Sequence, residues 1–437
     1  MKGVLLLLLA TGSFAMAGYT QQIGQKEVSR IIHTLAADDM EGRLPGTPGG
    51  NKAATFISDE FQKCGLQPLP GEESLLQSFT KYSLQPVSVT LKINGETKDW
   101  PVIPVGTARD INWESDSGYA VVHAKDPGTL MRVLKGNRLK KNTLVWLDPS
   151  MAGYLGGLSA TFSEHFRDSE EEITMDTLAA GQKQVVLVFE TEPVADTASW
   201  SIAVTREIRK QTFTNVAGMI KGSSKPDEYV VFSGHYDHLG ILPAVAGDTI
   251  ANGADDDASG TTAVIALANY FSGQHPARSL IFVAFTAEEM GGYGSTYFSR
   301  QLDPAKVVAM FNIEMIGKES RFGKNSAFIT GFDKSDFGPI LQRNLKGSVF
   351  QFHPDPYPEQ DLFYRSDNAT LAKLGVPAHT ISTTQIDKDE FYHTVDDEVE
   401  TLDITNITDI IKAIGVSAGS IVDGTDTPTR IKPDSSK

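Results

Sequence analysis

From residue 213 onward the chain alternates nearly unbroken apolar runs with helix-like stretches, and this alternation constrains its fold more than any other feature. The runs are "DEYVVFSGHYD", "RSLIFVAFTAEE", "KVVAMFNIEMIG" and "VPAHTIS"; between and after them come "ASGTTAVIALANYFSG", "GYGSTYFSRQL", "DNATLAKLG" and "ITNITDIIKAIGVSAGSIV". Strands without polar alternation must be covered on both faces, and the helices between them supply the cover. The reading is an α/β fold over residues 213–424, ending in a polar tail, 425–437, expected to be disordered.

The first half reads differently. Lys2, the apolar run Val4 to Ala10 and Ala15-Met16-Ala17 form a secretory leader over residues 1–17, with the mature chain starting near Gly18. That run is too short to span a bilayer, and no later segment is long and apolar enough, so no membrane anchor is expected. Residues 18–80 read as the N-terminal part of the same α/β domain, with helical spacing over 27–64 on either side of "GRLPGTPGG". Residues 81–212 look like an inserted β-rich domain, with "VSVTLKING" as a strand and hairpin turn and "NTLVWLDP" and "KQVVLVFETE" as later strands. A net charge of −16 excludes a nucleic-acid footprint, and Cys64, the single cysteine, leaves no internal disulfide.

Polar residues gather where the apolar runs of the second half end. His235 and Asp237 follow one strand, Glu288 and Glu289 another, and Glu314 a third. In open α/β sheets the ligand crevice lies outside the carboxyl ends of the strands, so these residues should converge. His235 and Asp237 share a face of an extended chain, which lets the carboxylate orient the imidazole for metal binding. His238 points the other way and reads as a supporting or loop histidine. In "NGADDDASG", Asp255 is the candidate for bridging two cations, and in "DEFYHTVDDEVE" His393 completes the set. Of the neighbours Glu288 and Glu289, one can bind metal while the other acts as general base. Imidazoles and carboxylates without thiolates suit zinc in a catalytic role. Two such ions sharing a water would lower its pKa and polarise a carbonyl, which is the chemistry of amide hydrolysis.

"HYDHLG", "GADDDASG", "AEEMGGYGS", "NIEMIG", "YRSDN" and "FYHTVDD", in this order, together with "MEGRLPGTPGGNKAATFI", resemble the motifs of the M28 family of co-catalytic zinc metallopeptidases. The resemblance covers roughly residues 33–70 and 213–424. It implies a phosphorylase/hydrolase-like three-layer sandwich with a mixed central sheet, two Zn2+ per chain and peptide substrates. Carried over, His235 and Glu314 would bind one ion, Glu289 and His393 the other, and Asp255 both. Glu288 would be the general base, Asp237 would orient His235, and Tyr364 would stabilise the oxyanion. The Asp255–Asp256 peptide would be cis. The implied protein is an exported aminopeptidase, periplasmic or extracellular. Glu314, where many aminopeptidases of the family have Asp, keeps a carboxypeptidase or dipeptidase in view, and a glutaminyl cyclase or a receptor-like binding protein are the other readings. Residues 81–212 loosely resemble a protease-associated domain.

Overall fold

Phe232, Phe282 and Phe311 lie side by side on three neighbouring strands in a computed structural model of the chain, with ring centroids 5.3 Å and 4.8 Å apart across the two pairs. Their neighbours Val231, Ile281, Val283 and Met310 face the opposite side. That period of two, with apolar residues at both parities, is why these strands read as unbroken runs. The structure describes residues 22–134, 140–155, 158, 166–178 and 183–432. The expected leader and residues 433–437 lie outside them.

The central sheet is mixed, as expected. Its strands run, from one edge, Gln351–Pro354, Ser326–Ile329, Ala378–Ser382, Val307–Ile313, Lys225–His235, Arg278–Phe285, Trp200–Ile220, Leu76–Ile93 and Glu96–Lys98. Lys225–His235 pairs in parallel with both Val307–Ile313 and Arg278–Phe285. Helices Gln25–Leu35, Pro48–Lys63, Gly260–Ser272, Phe337–Asn344 and Ile404–Ser417 cover one face. Tyr293–Arg300 and Asn368–Ala372 cover the other. Thr47 caps Pro48–Lys63 through Gly50 N, with proline at the first helical position.

Residues 81 and 212, where the sequence suggests the edges of an insertion, fall inside two long strands. Leu76–Ile93 and Trp200–Ile220 stay paired from Leu76↔Val216 to Ile93↔Trp200 and carry the main sheet outward. Beyond it stands a separate sheet of Val102–Val105, Val185–Phe189, Thr143–Leu147 and Ala120–Ala124 with its own core. The tail corrects another expectation. Arg278 donates to the carbonyl of Asp426 and to Thr427, Arg430 donates to the carbonyls of Val307 and Pro304, and Ile431 is buried, so residues 425–432 are packed on the body.

Candidate metal centre

The strand Lys225–His235 delivers its last residue to the middle of the sheet's carboxyl edge. His235 is buried, and its Nδ1 faces the main-chain carbonyl of Asp237 at 3.1 Å, which leaves Nε2 as the free lone pair. The carboxylate of Asp237 is 3.8 Å from that ring and accepts instead from the backbone N–H groups of Glu288 and Glu289. The expected orienting contact to His235 is thus made by the Asp237 carbonyl. The Asp237 side chain positions the Glu288–Glu289 loop, and burial pushes its carboxyl up to about 7.

The acidic run corrects a second expectation. Asp255 turns away from the histidines: its carboxylate accepts from Gly317 N at 2.7 Å and lies 3.6 Å from the Lys318 ammonium. Asp257 accepts from the backbone N–H groups of His235, Gly260 and Met315. Asp256 is the residue whose carboxylate reaches between the rings, 3.2 Å from His235 Nε2 and 3.2 Å from His393 Nε2. The cis peptide bond joins Asp256 to Asp257, one bond later than expected. The turn is braced by Asp397, which accepts from the backbone N–H groups of Asp255 and Asp256. Three successive aspartates look alike in a sequence; only the path of the turn decides which one faces the site.

Glu289 is 3.1 Å from His393 Nε2 through one oxygen and accepts from His238 Nδ1 at 3.0 Å through the other. His238 is fully buried and belongs to this cluster, with a ring so close to Gly253 that a Cβ there would lie 2.5 Å from it. Glu314 is half-buried beside Ser366 and lines the same cavity as Asp256, Glu288, Glu289 and Tyr392. Tyr364 does not line it: its ring packs on Phe363, with the Lys334 and Lys373 ammonium groups 5.7 Å and 5.9 Å from its centroid. The phenol at the cavity is that of Tyr392, stacked 3.9 Å from the His393 ring. The site's loops also hold non-glycine residues in the left-handed region: Ala287 before Glu288, Met315 after Glu314, and His393 itself. Such conformations persist only where surrounding packing enforces them.

The donor set fits cations. The Nε2 atoms of His235, His238 and His393 and Oε2 of Glu314 are buried without a hydrogen-bond partner among the described residues, and unpaired buried polar atoms are costly unless something coordinates them. Among the described residues, His238, Asp256 and Glu289 bring one ligand atom each within 4.8 Å of one another. Burial pushes Glu288 well above the ordinary carboxylate range and Glu314 to about 7. Burial acts on Asp256 in the same direction, but the surrounding imidazoles of His235, His393 and His238 outweigh it and hold the carboxyl well below its usual value. Carboxylates at this density need a compensating positive charge, and divalent ions held by imidazole and carboxylate supply it.

Residues 215–417 match the model of Peptidase family M28. A probable zinc metalloprotease of Pyricularia oryzae is 31% identical over 144 residues, 32% of this chain and 27% of that protein. A probable leucine aminopeptidase 2 of Aspergillus fumigatus is 25% identical over 246 residues, 54% of this chain and 44% of that protein. The chain thus spans less than half the length of these curated relatives. Among solved structures, an aminopeptidase from Aneurinibacillus sp. strain AM-1 superposes with a TM-score of 0.61 at 17% identity, covering 96% of this chain and 98% of that one. A zinc aminopeptidase from Bacillus subtilis gives 0.61 at 16% identity, covering 93% and 97%. These neighbours share the mixed-sheet fold, and residues 215–417, a little under half of this chain, carry the match to Peptidase family M28.

Proposed function

We propose that the protein is an exported zinc exopeptidase, an aminopeptidase that binds two divalent ions. The observation that supports this most directly is the convergence of His235, Asp256, Glu289, Glu314 and His393 from five separate segments onto one cavity edge, with imidazole nitrogens buried and unpartnered. In this reading His235 and Glu314 hold one ion, Glu289 and His393 the other, and Asp256 takes the bridging role first expected of Asp255. Two zinc ions there would supply Lewis acidity for the scissile carbonyl and acidify water.

The chain's own residues do the rest. Glu288, which lines the cavity beside the proposed ligands, takes a proton from the attacking water and delivers it to the departing amine. Asp237 fixes the loop that carries Glu288 by accepting its backbone N–H. The Tyr392 phenol, in place of Tyr364, is the group available to the developing oxyanion; burial pushes its pKa far up, so it stays a hydrogen-bond donor. The outlying sheet controls which peptides reach the cavity. Among the described residues no helix is long and apolar enough to cross a membrane, and the leader-like N-terminus supports export.

The test is a peptide panel with free, N-blocked and C-blocked termini, run with and without chelator, on protein whose metal content is measured. Two zinc-equivalents per chain and cleavage only of peptides with a free amino end are expected. Cleavage that requires a free carboxyl end instead identifies a carboxypeptidase. Fewer than one ion per chain in active protein refutes the dinuclear reading.

A further inference from the structure

The cavity beside the metal centre is lined by the apolar side chains of Phe328, Leu362 and Ile386 and by the hydroxyl-bearing residues Thr330, Thr380, Ser382 and Thr384. The hydroxyls come from the carboxyl ends of two adjacent strands, Ser326–Ile329 and Ala378–Ser382, and from the residues just after them. Their hydrogen bonds divide them into two groups. Thr380 donates to Asn368 Oδ1 at 2.9 Å and accepts from Asn312 Nδ2 at 3.1 Å. Ser382 donates to the Met315 carbonyl at 3.1 Å and accepts from Thr384 N at 3.3 Å. Those two are committed to the fold.

The other two are not. Thr330 accepts from Thr380 N at 3.2 Å, and its own proton has no acceptor among the described residues. The Thr384 hydroxyl is buried, on a residue 6% exposed, and has no hydrogen-bond partner among the described residues. A buried hydroxyl left unpaired carries a desolvation cost that a matching polar group can recover. A wall meant only for an aliphatic side chain has no use for such a group, since valine would fill the same volume.

Charge narrows the ligand further. The carboxylates at this cavity, Asp256, Glu288, Glu289 and Glu314, are all assigned to the ions or to proton transfer, so none is left to pair with a basic side chain. With those carboxylates compensated by the ions, the cavity interior holds no charged group left to pair with an acidic one either. Arg365 stands exposed at the rim and donates to Gln360.

We propose that this cavity selects substrates whose terminal side chain is uncharged, has an apolar stem and bears a hydrogen-bonding group, as in Thr, Asn and Gln, with Thr384 as the specificity-determining residue. This rests on the exopeptidase reading. A site built to hydrogen-bond its substrate rejects the analogue that lacks the group, because its own polar atoms are then left unpaired.

The experiment compares near-isosteric pairs of amino-acid p-nitroanilides, Thr against Val and Asn against Leu, on the zinc-loaded full chain. The expected kcat/KM ratio favours Thr over Val and Asn over Leu by about tenfold or more. Thr384→Val should lower the Thr:Val ratio about tenfold, and Thr384→Ser, which keeps the hydroxyl, should restore most of it. Metal content and circular dichroism are followed in each variant, and the ratio is read within one preparation, so partial loss of folded protein cancels. A wild type that prefers Val and Leu, or a ratio unmoved by Thr384→Val, overturns the selectivity while leaving the exopeptidase reading intact. Failure to cleave any of the four substrates with two ions bound overturns both.

Discussion

Asp255 and Asp256 are chemically identical neighbours, and the turn gives them opposite tasks. Asp256 faces two imidazoles at 3.2 Å, whereas Asp255 accepts from Gly317 N and faces Lys318. Asp256→Asn should therefore lose both ions in elemental analysis, and Asp255→Asn, which keeps the acceptor for Gly317 N, should retain them. The reverse pattern would return the bridging role to Asp255. The glutamate pair separates in the same way. Glu289→Ala removes a ligand and should lower ion occupancy, while Glu288→Gln should keep both ions and lose at least roughly 100-fold in kcat, about 2.7 kcal/mol of transition-state stabilisation, with KM little changed. Near-normal kcat in Glu288→Gln would rule it out as the base. The residue types needed at this centre were legible in the sequence, because histidines and carboxylates at strand ends have few other reasons to recur. Which aspartate of a run faces the site was not, since a single turn reverses the choice. His238 was misread for a related reason: the period of two that assigns faces along a strand ends at His235, where the chain leaves the sheet.

The elements that position the centre can be tested apart from it. The closing helix, Ile404–Ser417, begins at Asp403, whose carboxylate accepts from Asn406 N at 3.0 Å and pairs with Lys324 at 2.9 Å. The cap hydrogen bond holds that carboxyl below its ordinary value, with Lys324 assisting. Asp403→Ala should cost about 1 kcal/mol, seen as a lower thermal midpoint. Because the folded pKa is depressed, the contribution is complete above the unfolded carboxyl value near 3.9 and is lost as pH falls through the folded one. His379 carries a pH signature of its own. It is buried on the strand Ala378–Ser382, with Nδ1 donating to the Thr330 carbonyl and Nε2 accepting from Ser335, and burial pushes its pKa down to about 4. The folded state therefore favours the neutral ring. The stability it contributes is complete above the unfolded value near 6.5 and is lost as pH falls toward 4. Urea midpoints of His379→Gln should fall less steeply than those of the wild type across that window; parallel slopes would refute the assignment. The main strands and this helix were legible because their apolar periods are strong. Ser326–Ile329 and Gln351–Pro354 were not, being four residues each and lacking flanking repeats that could separate a strand from a loop.

Over the whole molecule, the question is how far the centre depends on parts that hold none of its ligands. The N-terminal segment is one such part. Arg43 is fully buried and donates to the carbonyls of Leu35, Tyr236, Asn252 and Gly253, so "MEGR" ties the first helices to the residue after His235 and to the segment that leads into the acidic turn. The outlying sheet is the other. Its link to the body is the ribbon formed by Leu76–Ile93 and Trp200–Ile220, in which Leu84 pairs with Ile208. Replacing residues 85–207 with Asn-Gly would close that ribbon as a two-residue hairpin, a turn chemistry suited to the twist of paired strands. Every proposed ligand lies on the part retained, so the shortened protein should still bind two zinc ions. On the access reading, it should also lose discrimination between short and long peptides. Contacts near the chemistry are lost too: Phe166 packs on Phe213 and Tyr293, beneath the segment that follows Glu289, and Asp168 pairs with Lys81 and Arg300. Truncating a buried phenylalanine typically costs about 3–5 kcal/mol, so a lower thermal midpoint is expected along with preserved metal content. If the shortened protein keeps its far-UV circular dichroism but binds no zinc, the outlying sheet supports the metal centre itself, and the assignment to access alone is wrong.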